Sequence, residues 1–355
     1  SLSGIESLPS LELLDIYSEV INSLSGLKDL KSLNKVDIQC DKLNNLKGLE
    51  EAPNITELNL ISKGLEDISN IKSLTKLTNL DLSECSSIES LSGLEKLNLL
   101  ESLKVTDCSK LKNLDGAPKS DVYVLNKRWG SGVEIDLSGC SSLEDISALK
   151  GASKIDWFDM GGCSSIRTTE GLEKIKIDYL GCSESDISLL QSLNNLDVKT
   201  LSLREMKLTS FEGLKEWPSV KTLRIHSASF QNLLGIDAFV NITLLGLNND
   251  SSQGPDCNTL KNLTGIESLK YLEELDLTGC DELQDVNALS ELTNLAKLNM
   301  DECPNIEPLP RPKVMESREK VEKYQIRLLK ALGKDIPKAS KKEATRSKSD
   351  KPSVD

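Results

Sequence analysis

The sequence lacks most of the residue types and motifs on which catalysis depends. Its 355 residues include one histidine, His226, and only 3% of them are aromatic. No nucleophile stands at a recognisable spacing from His226, and no glycine-rich phosphate loop or cofactor fingerprint occurs. A catalytic site needs several such groups that converge on one place. We therefore predict that this chain is not an enzyme; a catalytic domain would have to lie upstream of Ser1.

Clustered cysteines and long apolar runs are also missing. None of the nine cysteines forms a Cys-x-x-Cys pair, the spacing typical of a metal site, and the odd number argues against complete disulfide pairing. No apolar run approaches the roughly 20 residues that span a bilayer, and no signal peptide is recognisable. We expect no metal, no cofactor and no small-molecule substrate. Free thiols favour a cytoplasmic location; a secreted or cell-surface location is the alternative if a signal peptide has been removed.

The charge of the chain is strongly negative but unevenly distributed. The formal net charge is −13, yet residues 334–351 hold seven Lys or Arg against three Asp or Glu, a local balance of +4, so the remainder carries −17. An acidic body repels the phosphates of nucleic acid. We expect nucleic-acid contact, if any, through the basic tail alone.

A repeated pattern dominates what is present. Leu275 and Leu277 alternate, which places both side chains on one face of a short strand, and Cys280 and Leu283 follow at a spacing of three. One such unit cannot bury its own apolar edge and needs stacked copies. Thirteen copies are present, and the equivalents of Leu275 are Leu14, Val36, Leu58, Leu80, Leu103, Ile135, Phe158, Leu180, Leu201, Leu223, Leu245, Leu275 and Leu298.

This pattern resembles the leucine-rich repeat, in the short class of about 22 residues found in SDS22-like and internalin-like proteins. The resemblance covers roughly residues 2–310. It implies an α/β solenoid, a horseshoe of about 13 repeats with a concave parallel β-sheet and a convex side of 3₁₀ turns or short helices. Six repeats carry cysteine where related repeats carry asparagine, and we expect buried, structural thiols at these positions: Cys85, Cys108, Cys140, Cys163, Cys280 and Cys303.

We divide the chain into a solenoid at 1–312, a helix at 313–333 and a disordered basic tail at 334–355. The solenoid contains insertions near 115–131 and 251–259. In the helix, Val314, Val321, Tyr324, Leu328 and Leu332 share one face. The helix is predicted to cap the open end of the solenoid, because terminal repeats expose core; a partner-binding helix is the alternative.

The outward residues of the strands are the candidate binding surface. Asp recurs between the two inward strand positions, at 15, 37, 81, 136, 159 and 276. Trp157 and Tyr179 lie on neighbouring strands, and exposed aromatic rings beside arginine are typical of interface hot spots. We predict a partner-binding surface made of Trp157, Tyr179, Arg204, Arg224, His226, Asp159, Asp136 and, in an insertion, Trp129. The alternative is that the two rings merely cover each other and that a partner binds the acidic column at Asp15, Asp37 and Asp81.

The predicted function is non-catalytic recognition of a protein on the concave face, by a rigid scaffold that loses little entropy on binding. The resemblance to SDS22-like proteins implies an intracellular adaptor or regulatory subunit, whereas the resemblance to internalin-like proteins implies a secreted or surface adhesion module. Because the chain starts inside a half repeat, at Leu2, Ile5 and Leu8, it is also interpretable as the recognition domain of a larger protein.

Overall fold

The computed structural model describes residues 2–117, 134–152, 154–184, 186–226, 229–247, 259–306 and 314–336. Both predicted insertions lie almost entirely outside these ranges, together with Trp129 and Cys257. Most of the predicted basic tail lies outside them as well. The disorder of that tail therefore stays a prediction.

The described residues form short strands that recur at the repeat spacing, together with two α-helices. The strands of the first sheet are β1 (Leu13–Tyr17), β2 (Lys35–Gln39), β3 (Glu57–Ile61), β4 (Asn79–Asp81) and β5 (Ser102–Lys104). The strands that follow are β6 (Glu134–Asp136), β7 (Lys154–Ile155), β8 (Trp157–Asp159), β9 (Lys176–Ser183), β10 (Asp197–Arg204), β11 (Thr222–His226), β12 (Leu244–Gly246), β13 (Glu274–Asp276), β14 (Lys297–Asn299) and β15 (Val314–Met315). The helices are α1 (Ile187–Leu193) and α2 (Arg318–Ala331).

The strands pair in sequence order, which confirms the predicted solenoid with a parallel sheet along one side. The first sheet runs from β1 to β5, and the second runs from β6 through β8 to β15, with β7 paired to β9. The equivalent apolar positions are in register, as in Leu14↔Val36 and Leu201↔Leu223. Past the break between β5 and β6 the repeats stay stacked, since the Asp107 amide donates to the Ser138 carbonyl at 2.7 Å. The exact number of repeats stays a prediction.

On the opposite side the chain returns through tight turns, many of them 3₁₀ helices of three to five residues. Gly48 shows why glycine opens such a turn. Its φ is +103°, and a Cβ there would lie 2.6 Å from the Leu24 carbonyl carbon of the preceding repeat. Its N–H donates to the Glu50 carboxylate at 2.9 Å. α1 replaces the turn in one repeat, because the Asp186 side chain caps the N–H of Ser188.

The interior is one continuous apolar ladder from Leu2 to Leu328. Phe211 and Phe230 stack in it with ring centroids 4.9 Å apart, as expected for two inward positions. Trp217 is fully buried, and its indole N–H donates to the Leu196 carbonyl at 2.9 Å. Trp217 is therefore a packing residue of the core.

The six turn cysteines are buried free thiols, as predicted. Each Sγ donates to a carbonyl at the end of the preceding strand at 3.0–3.5 Å. Burial raises the pKa of Cys85 to about 12 and that of Cys303 to about 11, and it holds the pKa of Cys163 well above its usual range. The thiolate, which is the reactive form, is strongly disfavoured at neutral pH.

The C-terminal end differs from the predicted helix of 313–333. α2 begins at Arg318, and Val314 lies instead on β15, which pairs antiparallel with β14. Val314 is nearly half exposed, so the assignment of Val314 to the buried helix face is wrong. The face at Val321, Tyr324 and Leu328 is buried. The reason is that two residues first close the open edge of the sheet, and the helix then packs on the convex turn at Asn287–Glu291.

α2 is fixed to the last repeats by a buried polar contact. The Gln325 side chain donates to the carbonyls of Leu289 and Leu292 at 2.8 and 2.9 Å. The capping role of this helix, and the division of the chain into three segments, stay predictions. None of the helices in the described ranges has the length and apolarity to cross a membrane.

Candidate functional site

The outward positions on and directly after the strands face the concave side and form up to three columns across the sheet. The first column precedes the central buried residue, the middle column lies between the two buried residues, and the last column follows them. On β10 these are Thr200, Ser202 and Arg204. On β11, Arg224 pairs in register with Ser202, and His226 pairs with Arg204.

Trp157 and Tyr179 are neighbours in the first column. Their rings stack at a centroid distance of 6.0 Å with an interplanar angle of 7°. Each residue is half-buried, so each ring covers one face of the other and keeps part of its surface in solvent. Such a pair contributes about 0.5–1.5 kcal/mol beyond its buried area. Both readings of this pair thus have support: the rings do cover each other, and they remain accessible.

The middle column shows that its aspartates serve the backbone. Asp81, Asp159 and Asp276 each accept the N–H of the residue two positions later, at 2.9–3.0 Å. The carboxylate satisfies the second amide beyond the strand and so helps to turn the chain where the strand ends. Sequence reasoning missed this role. Its signal was available, because Ser, Gly or Thr follows these aspartates by two residues, at Ser83, Gly161 and Thr278.

Asp136 departs most from expectation. It was predicted to be solvent-exposed, but it is buried. Its carboxylate accepts both the N–H and the hydroxyl of Ser138, at 3.0 and 2.6 Å. Glu134, its neighbour in the first column of β6, is buried as well. Asp136 is therefore held inward by its own strand end and does not present a carboxylate to a partner.

The sign of the surface charge changes between β9 and β10. Asp156 and Asp178 precede the two aromatic residues, and the Lys154 ammonium bridges both carboxylates at 2.5 Å. These two hydrogen bonds raise the pKa of Lys154 to about 12. On the next two strands the corresponding positions are Lys199 and Lys221, both exposed.

Four exposed cations lie on or directly before β10 and β11: Lys199 and Arg204 are in β10, Arg224 is in β11, and Lys221 immediately precedes β11. Of these four, Arg204 and Arg224 lie in the three concave columns, and the described lysines of the same columns are paired. Lys35 lies 3.3 Å from Glu57, Lys104 lies 3.2 Å from Asp81, and Lys297 lies 2.6 Å from Glu274. No carboxylate of the described residues lies within 4 Å of any of the four cations on β10 and β11. We call these four residues the cationic patch.

Glycines open a cleft on each side of the cationic patch. The first, of about 230 Å³, lies over Gly161 and Gly181 between Asp159 and Arg204. A Cβ at Gly181 would lie 3.2 Å from the Asp159 carboxylate. Glycine at this position therefore makes room for that carboxylate. The second, of about 250 Å³, lies over Gly246 between Arg224 and β15.

The remaining predicted site residues fall as follows. His226 is half-buried at the end of β11, beside Arg204. Trp129 lies outside the described residues. The structure therefore brings Trp157, Tyr179, Asp159, Arg204 and Arg224 onto one continuous face and leaves Asp136 beneath it. Within the described ranges, no three His, Cys, Asp or Glu side chains are grouped so as to hold a metal ion.

No family model matches this chain, but parts of it are similar to curated proteins. A putative adenylate cyclase regulatory protein of Trypanosoma equiperdum is 28% identical over 210 residues, which are 50% of this chain and 32% of that protein. Two proteins of Arabidopsis thaliana are each 25% identical. They are the protein SUPPRESSOR OF npr1-1, CONSTITUTIVE 1, over 50% of this chain and 12% of its own length, and the disease resistance protein RPP4, over 52% and 18%. The chain thus spans a third or less of each relative.

Among solved structures, an LRR protein of Leptospira interrogans is 19% identical with a TM-score of 0.38, covering 91% of this chain and 84% of that one. An internalin of Listeria monocytogenes is 17% identical with a TM-score of 0.37, covering 76% and 85%. TM-scores of this size do not establish a common overall shape.

Proposed function

We propose that this leucine-rich-repeat solenoid is a non-catalytic scaffold that recognises a protein partner on its concave face, centred on β8 to β11. The carrying observation is the contrast between these strands and the rest of the face. Here a half-exposed aromatic stack adjoins four cations without an ion partner among the described residues, whereas concave lysines elsewhere are paired. Aromatic and arginine side chains are the residue types enriched at binding hot spots.

The rigidity of the sheet supports this proposal. The residues beneath the face are buried and held in register from β8 to β13. The outward side chains therefore stand on a backbone that needs little ordering when a partner binds, and less conformational entropy is lost.

We further propose an intracellular regulatory or adaptor role. One relative is described as a putative regulatory protein, and eight described cysteines are buried free thiols. The sequon at Asn54 also favours this location over a secreted one. Its amide nitrogen donates to the Lys31 carbonyl at 2.9 Å, and a glycan on that nitrogen would crowd the contact. The adhesion module remains the second candidate, on the internalin-like resemblance.

The experiment compares two tyrosines of the same face. A partner captured from a cell extract is identified and purified, and its affinity is then measured for the unaltered chain, Tyr179→Ala and Tyr17→Ala. Tyr17 is an exposed tyrosine of β1, at the far end of the face. We expect Tyr179→Ala to weaken binding at least about tenfold, the range of a hot-spot residue, and Tyr17→Ala to leave it unchanged.

Two results would contradict the proposed centre. The first is equal affinity of both variants and the unaltered chain. The second is loss of binding on Asp37→Lys with Asp81→Lys but not on Trp157→Ala, which would move the site to the acidic column. Thermal unfolding of each variant serves as the control for folding.

A further inference from the structure

We propose that the cationic patch of β10 and β11 binds an extended acidic segment of a protein partner. The segment is about six residues long, and its carboxylates contact the four cations. This inference rests on the proposed function and adds the chemistry of the ligand. Its basis is that Lys199, Arg204, Lys221 and Arg224 are exposed on, or directly before, two adjacent strands and have no ion partner among the described residues.

The patch is built to receive anions along its whole length. Lys199 and Lys221 lie near the starts of the strands, Arg224 lies in the middle of β11, and Arg204 lies at the end of β10. Five residue steps from Lys199 to Arg204 span about 16 Å at the rise of a strand. Between the cations lie Thr200 and Thr222, whose hydroxyls donate hydrogen bonds. Guanidinium groups bind carboxylates through two parallel hydrogen bonds.

Acidic residues on both sides limit the size of the ligand. Asp178 precedes the patch on β9, and Glu274 and Asp276 follow it on β13. β12, which lies between the patch and β13, presents Leu244 and Gly246 without charge. Four strand spacings, from β9 to β13, are about 19 Å. An extended peptide of about six residues covers this distance.

The same boundaries argue against nucleic acid as the occupant. A duplex carries one negative charge for about every 1.7 Å of its axis. Any length beyond the patch would meet the net negative charge of Asp156 and Asp178, which share one lysine, or the carboxylate of Asp276. Glu205 in the turn after β10 adds a further carboxylate beside Arg204. A short acidic peptide places its charges on the patch alone, and its uncharged flanks can contact the Trp157–Tyr179 stack on one side.

The test uses fluorescein-labelled hexaglutamate and the full chain, with affinity measured by fluorescence anisotropy at low and at raised salt. We expect hexaglutamate to bind, hexalysine not to bind at this patch, and raised salt to weaken the hexaglutamate complex. Arg204→Glu with Arg224→Glu should weaken hexaglutamate binding at least about tenfold. Both positions are exposed, so circular dichroism should show unchanged folding.

The matched control is Lys35→Glu with Lys104→Glu. It changes the net charge by the same amount on the same face, but at lysines that lie in ion pairs. Equal loss of affinity in both double variants, or no binding of hexaglutamate at low salt, would overturn the proposal. A thymidine oligonucleotide is tested in the same way. If it binds more tightly than hexaglutamate and its binding also depends on Arg204 and Arg224, the ligand of the patch is single-stranded nucleic acid and not an acidic peptide.

The outcomes separate this inference from the proposed function. If a protein partner depends on Tyr179 but hexaglutamate does not bind, the acidic segment is wrong and the recognition surface stands. If hexaglutamate binds through the arginines while Tyr179→Ala leaves the partner unaffected, the ligand chemistry stands and the aromatic centre is wrong.

Discussion

The two sheets of this solenoid share one repeat but differ in their ends and in their surface charge. β1, the outer strand of the first sheet, and the segment after it leave Leu13, Tyr17 and Val20 exposed by 48%, 76% and 82%, whereas the second sheet ends on β15 and α2. Concave cations of the first sheet are paired, and those of β10 and β11 have no ion partner among the described residues. The comparison shows that the inward leucines repeat along the whole solenoid, while the charges at the outward positions vary from strand to strand.

The largest expected effect concerns the two ends. Leu328 of α2 is 3% exposed and Leu13 of β1 is 48% exposed. We expect Leu328→Ala to lower the free energy of unfolding by about 2–5 kcal/mol, because it leaves a cavity in packed core. Leu13→Ala should lower it by less than about 1 kcal/mol, since little burial is lost. Chemical denaturation of the two variants measures this difference, and similar values would mean that α2 does not close the solenoid.

A smaller effect is expected when the concave lysines of the first sheet are released from their ion pairs, as the cations of β10 and β11 are. Glu57→Gln with Asp81→Asn releases Lys35 and Lys104 from their ion pairs while keeping the side-chain shapes. The two substitutions are added to the Arg204→Glu, Arg224→Glu variant, which lacks the arginines of the cationic patch. If pairing decides which cations are available, the added substitutions should make that variant bind hexaglutamate a few-fold more tightly. Anisotropy measures the gain. No change would show that the shape of the β10–β11 surface matters more than free charge.

The smallest effect concerns two buried thiols, Cys85 in the turn after β4 of the first sheet and Cys303 in the turn after β14 of the second. Burial raises the pKa of Cys85 to about 12 and that of Cys303 to about 11, above the ordinary value of a cysteine near 9.0. Between pH 9 and these values the unfolded chain has lost thiol protons that the native chain retains, so stability should fall as the pH rises above 9. Native-state alkylation followed by mass spectrometry should label Cys303 before Cys85 as the pH is raised. Rapid labelling of both at neutral pH would contradict their structural role.

The repeat pattern predicted the inward half of the molecule well. Spacing alone identified the register positions from Leu14 to Leu298 and the buried cysteines, because each repeat must bury the same positions against its neighbours. The pattern failed at the C-terminal end. A helical spacing that includes Val314 cannot show that two residues pair with β14 first.

The candidate site was predicted only in part. The sequence placed Trp157 beside Tyr179 and the arginines next to them, since neighbouring strands align equivalent positions. It did not show that the rings stack, that Asp136 is buried, or that the middle aspartates hold strand-end amides. Each of these features depends on whether a side chain bonds to its own backbone or to water, and the residue types along a column do not reveal this.

What the sequence determined by itself is therefore the periodic fold, because apolar residues at fixed spacing have one way to be buried when copies stack. What only the tertiary structure decided is which outward charges are neutralised. Lys35 and Glu57 are 22 residues apart in the chain and 3.3 Å apart in space, whereas Arg224 has Ser202 and Gly246 as its register neighbours. A charge is available to a partner only when the adjacent strand offers no opposite charge, and that relation exists only after the repeats have stacked.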